Sequence, residues 1–129
     1  MIVFGPPVAK FVAAQTGHIF RTPHQAIGFE RDRKIRSGIV FQNWSGIDID
    51  LTVAGTEIPR SLLTAAWNYV VMTLGCRRAT FRTPADNWPA IKAMARLGAR
   101  LEGQQRKFYG ARDALLFGIL AEEFPYGRH

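Results

Sequence analysis

The run from Arg77 to Gly103 constrains this chain most, because its hydrophobic period changes twice within it. Arg78 to Thr83 alternates apolar and polar residues, the pattern of a half-buried strand. Beyond Asn87 the apolar positions Ile91, Met94, Ala95 and Leu97 fall at helical spacing. Asn87 is suited to cap that helix, Pro89 to its first turn, and Gly98 to a left-handed stop. A further strand pattern opens at Leu101. A strand, a capped helix and a strand at this spacing require a sheet with a helix packed across it.

The rest of the chain reads in the same two periods. Met1 to Phe4 is a short apolar run closed by Gly5-Pro6-Pro7, and Pro7 to Thr16 is an amphipathic helix ending before Gly17. Ala26 to Glu30 and Ile35 to Trp44 form a hairpin around the charged turn Arg31 to Lys34. Ile47 to Ala54 alternates, with Asp48, Asp50 and Thr52 on one face. Leu62, Leu63, Ala66, Trp67, Val70, Val71 and Leu74 make a wide apolar stripe, so the spacing predicts a helix over Pro59–Leu74. Leu101 to Tyr109 and Asp113 to Leu120 read as the last two strands, and 121–129 as a polar tail. There are no internal repeats.

The 129 residues fit one domain, 1–129, and 47% apolar content supplies a core. No stretch approaches the ~20 apolar residues of a membrane span, and Met1-Ile-Val-Phe lacks the marks of a signal peptide. A soluble, cytoplasmic protein is expected. The single cysteine, Cys76, excludes an intramolecular disulfide and a cysteine-based metal site, and reads as structural. His18, His24 and His129 show no metal spacing. The net charge of +7 favours anionic partners, nucleic acid among them, with Trp44 and Trp88 as candidate exposed aromatics, although a solvated basic face gives the same count.

The order of elements, with Asn87 after a strand and Leu97-Gly98 before Leu101-Glu102-Gly103, resembles the GNAT superfamily of acyl-coenzyme A dependent N-acyltransferases. The resemblance covers about Gln25 to Leu120, with a shortened N-terminal region. Within that superfamily the chain is most similar to short proteins encoded by phages, through Gln25-Ala-Ile-Gly28 and Phe41-Gln-Asn-Trp44. It implies an α+β fold: a mixed, mostly antiparallel sheet of six to seven strands, helices on both faces, and a cleft where the fourth strand splays from the fifth. It also implies acetyl-CoA as acyl donor and an amine, on a small molecule or a protein, as acceptor. The same resemblance to phage proteins leaves open a catalytically reduced binding or structural protein, in the host cytoplasm or the virion.

The site residues follow from the resemblance. Backbone groups of Leu51 and Val53 would pair with the pantetheine arm, and Asn87 would bond it. The phosphates would meet Ile58, Arg60 and Ser61 at the start of the helix, where unpaired amides favour anions. The family's two loop glycines are replaced here by Glu57 and Pro59. Asp50 is the candidate base, although a half-solvated strand face explains it without any catalysis. The family's tyrosine acid is replaced by Met94, which leaves Tyr109 as the alternative by strand position. His24, in a substrate-side loop, is a further catalytic candidate. Homodimer formation through the last strands would use Phe117, Leu120 and Phe124.

Overall fold

The computed structural model describes residues 1–125. Its strands are β1 (Ile2–Phe4), β2 (Gln25–Arg31), β3 (Lys34–Gln42), β4 (Asp50–Gly55), β5 (Arg78–Pro84), β6 (Arg100–Gln105) and β7 (Ala114–Leu120). The helices are α1 (Pro6–Thr16), α2 (Arg60–Asn68) and α3 (Trp88–Leu97). The strands form one sheet in the order β1-β2-β3-β4-β5-β7-β6. All neighbours are antiparallel except β4 and β5, which run parallel because α2 carries the chain across from one to the other. This is the mixed α+β arrangement that the sequence implies.

Alternation along β4 sends Leu51 and Val53 to one face and Thr52 and Ala54 to the other. The first face carries the larger core, where Leu62, Trp67, Met94 and Leu97 of α2 and α3 pack on Ile39, Phe41, Leu51 and Phe81. The second is covered by α1, whose Val8 and Val12 lie on Ala26, Val40 and Ala54. Gly28 and Gly38 permit that approach, since a Cβ on either would come within 2.9 or 2.7 Å of the Val8 side chain. Helix α1 ends at Gly17, which adopts φ 73° and returns its N–H to Ala13.

Four sequence readings are corrected. The second long helix is α-helical only to Asn68, and Tyr69–Thr73 form a π-helical turn before Gly75 reverses the chain. Apolar spacing cannot register this change, because the stripe continues through Val70 and Leu74. The hairpin strand stops at Gln42, and Asn43 takes a left-handed φ of 57°. Strand β6 ends at Gln105 rather than Tyr109. There Asp113 accepts from the Lys107 N–H (2.8 Å) and the Gln104 side chain (2.7 Å), folding 106–113 into a turn. Finally, Phe124 in the expected polar tail is 1% exposed and stacks on Trp67 at 4.5 Å. With Phe117 also buried, only Leu120 of the three expected dimer residues is exposed. Residues 126–129 of that tail, with His129, lie outside the described residues.

Candidate active site

The parallel pair sets the geometry. Asp50, Leu51 and Thr52 pair with Thr80, Phe81 and Arg82. Beyond Thr52 the two strands part, and the Thr83 hydroxyl donates to the Val53 carbonyl at 2.8 Å across the opening. Above this fork a cavity of about 150 Å³ is lined by Ala54, Gly55 and Thr56 on one side and Pro84, Asp86 and Asn87 on the other. Gly55 is required there. With φ 114°, a Cβ would stand 2.3 Å from the Arg36 carbonyl.

Asn87 occupies the cap position expected for it, accepting from the Ala90 N–H at 3.4 Å while lining the mouth. Arg112, from the turn before β7, reaches over the same mouth. It donates to the Gln15 carbonyl at the end of α1 (2.6 Å) and pairs with Asp86 (3.2 Å). Sequence reasoning misses Arg112, because nothing in the sequence signals that a β6–β7 turn meets the end of α1.

Below the fork, on the face carrying α1, lies a polar floor. Asp48 accepts from Arg78 Nε (3.2 Å) and the Thr80 hydroxyl (3.0 Å). One oxygen of Asp50, Oδ2, accepts from Asn43 (2.9 Å) and pairs with Arg82 (3.5 Å). Arg82 also donates through Nε to Gln105 (2.9 Å), and its guanidinium sits 4.8 Å from the centre of the Phe108 ring.

Two loops wall this floor. In the loop 17–24, His18 stacks on Phe108 at 5.2 Å and meets Phe20 edge-on at 5.0 Å. Burial, and then Arg82, lower the His18 pKa from its ordinary value, so the ring is neutral at pH 7. Opposite it, Tyr109 is 8% exposed, and its hydroxyl has no hydrogen bond of good geometry although it lies beside Thr52. Burial pushes its pKa up to about 12, against the opposing pull of Arg82.

The structure thus brings Asp50 and Tyr109 to one face, and Val53 and Asn87 to the fork above them. Leu51 is set apart: it pairs with both Phe41 and Phe81, so its backbone belongs to the closed ladder. Ile58 is buried under α2, whereas Arg60 and Ser61 open α2 on the surface. Pro59 is the N-cap, without a side-chain cap bond, and Glu57 is held by Arg31 at the end of β2 through two hydrogen bonds, one of 2.9 Å. That pairing lowers the Glu57 pKa and places a cation beside its charge. His18 joins the site. His24 stays at the far side of its loop, 3.3 Å from the Arg21 carbonyl. Among the described residues no group of His, Cys, Asp and Glu could hold a metal ion, and no helix is long and apolar enough to cross a membrane.

No protein-family model matches the chain, and no curated protein does. Solved structures match in fold. The spermidine/spermine N-acetyltransferase SpeG from Vibrio cholerae superposes with a TM-score of 0.64 at 12% identity, over 95% of this chain and 93% of that one. The N-acetyltransferase PseH from Campylobacter jejuni, in complex with acetyl coenzyme A, gives 0.58 at 12% identity, over 78% and 70%. A GNAT-family acetyltransferase from Bacillus anthracis gives 0.54 at 18% identity, over 77% and 66%. Of two further chains carrying an acetyltransferase assignment, one of them from T. thermophilus, this chain spans 62% and 65%. The protein has the GNAT fold.

Proposed function

We propose that this protein is an N-acyltransferase that uses acetyl-CoA and an uncharged or anionic amine-bearing acceptor. The observation that carries the reading is the fork itself, which parts above a buried tyrosine hydroxyl lacking a well-formed bond. The residues fit the acyl end of the donor: Asn87 and the edge of β4 line the mouth, and Tyr109 waits beneath it. At the phosphate end, Arg60 and Ser61 open α2 without a side-chain cap, and Arg31 neutralises Glu57. When bound, acetyl-CoA would supply an acyl group already activated as a thioester.

The chain's own residues then divide the work. Asp50 holds a carboxylate on the floor, able to take a proton from an acceptor amine. Tyr109 keeps its proton through the neutral range. A phenol near pH 12 gives that proton only uphill to a thiolate, whose pKa is about 8.5. Tyr109 therefore serves as a hydrogen-bond donor to developing negative charge rather than as a full acid. Arg82, 14% exposed beside it, adds a fixed positive charge. The same cations, in a chain of net charge +7, oppose a polycationic acceptor.

The Arg112 strap over a cavity of only about 150 Å³ favours a second reading, a GNAT fold that has lost turnover. Release of free thiol from acetyl-CoA, measured against neutral, acidic and polyamine acceptors, separates the two. Turnover with an uncharged or acidic amine is expected, and Asp50→Asn should lower it by about a hundredfold or more. No thiol release above hydrolysis with any acceptor would sink the enzyme reading, and an Asp50→Asn variant with full turnover would remove Asp50 as base.

A further inference from the structure

We infer a second ligand site, at the opposite end of the sheet from the fork, that takes a planar aromatic anion. A cavity of about 450 Å³ lies where β3 ends and β4 begins. That volume falls within the range of ~300–1,000 Å³ usual for small-molecule sites. Its walls are Phe41, Ile49, Tyr69 and Leu74, with Trp44 at the rim.

Three features make this more than an apolar dent. Tyr69, which meets Phe41 edge-on at 5.0 Å, opens the π-helical turn, and single π turns within helices concentrate at functional sites. Trp44 is 59% exposed and lies beside the buried Cys76 thiol, so an amphipathic ring stands at the rim. Segment 21–24 is fastened to the end of β3, where the Gln42 side chain donates to the Arg21 carbonyl at 2.9 Å. This sets Arg21 and His24 on the rim.

Charge selects the occupant. An aromatic cage could also hold an organic cation through its ring faces. The lining residues, however, include Arg21 and His24 and no carboxylate. The nearest acidic residues are already engaged, Asp48 by Arg78 and Thr80 and Asp50 by Asn43 and Arg82. Aromatic walls beside Arg21, with no carboxylate among the lining residues, complement a flat ring system bearing a carboxylate or similar head group.

The test uses the three tryptophan indole N–H signals of the full chain in a ¹H–¹⁵N spectrum, with Trp44 assigned by Trp44→Phe. The probes are 2-naphthoate, 2-naphthylmethanol and 2-naphthylmethylammonium. Naphthoate should move the Trp44 signal saturably, with a Kd of about 1 mM or below. The neutral alcohol should bind about tenfold more weakly, and Arg21→Gln should bring naphthoate down to the alcohol's affinity. A Trp44 signal unmoved by naphthoate would overturn the site. Equal or tighter binding of the alcohol or the ammonium probe would overturn its assignment to anions. Acetyl-CoA is absent from this experiment, so its outcome is independent of the acyltransferase reading.

Discussion

The lower and upper halves of the β4–β5 pair are built from the same two strands and differ in what holds them. From Asp50 to Thr52 a parallel ladder is reinforced on one face by the Arg82–Asp50 pair and on the other by Leu51 and Phe81 in the core. From Val53 to Gly55 the ladder is gone, and a single hydroxyl bond, Thr83 to Val53, bridges the gap. Binding surfaces on a sheet need backbone that the sheet itself does not consume. The contrast locates that backbone on the β5-facing edge of Val53 and Gly55, and the fully buried Leu51 lies directly below it.

Removing the core support of the closed half should have the largest effect. Leu51→Ala leaves a cavity at a fully buried position and should cost about 2–5 kcal/mol in urea unfolding. A smaller effect should appear only at high pH. The Tyr109 pKa is raised in the fold, so its share of stability is intact below about pH 10 and lost as pH climbs toward 12. Wild type should lose about 2–3 kcal/mol across that window relative to Tyr109→Phe, a difference read from paired thermal melts.

At the fork, Thr83→Val keeps the shape and removes the donor to a buried carbonyl, so a loss of about 1–2 kcal/mol is expected. Equal stability of the two proteins would mean that the bond does not hold the fork. Arg112→Ala should be the mildest, below about 1 kcal/mol, because the Asp86 pair is solvent-exposed. Its interest lies in binding: with the strap gone, acetyl-CoA should bind more tightly than to wild type.

Much of the fold was legible because period and punctuation agree. Asn87 and Gly98 bound α3 as their residue types require, and Gly17 ends α1. The candidate site was legible only in part. Asp50 and Arg82 are 32 residues apart and meet only through a parallel register that no local pattern encodes. Tyr109 reached the site for a reason other than the expected one, through the turn pinned by Asp113 and not through a strand. His18 and Arg112 lie in loops without a periodic signal, where tertiary packing alone decides position. The π-helical turn at Tyr69 is invisible for the opposite cause: its apolar stripe satisfies a helix of either pitch.

Titration of acetyl-CoA into the full chain by calorimetry, alongside Asn87→Ala and Arg112→Ala, tests the fork most directly. Saturable one-to-one binding is expected for wild type, weakened about tenfold by Asn87→Ala and strengthened by Arg112→Ala. The absence of binding at millimolar acetyl-CoA in both wild type and Arg112→Ala would contradict the fork as a donor site.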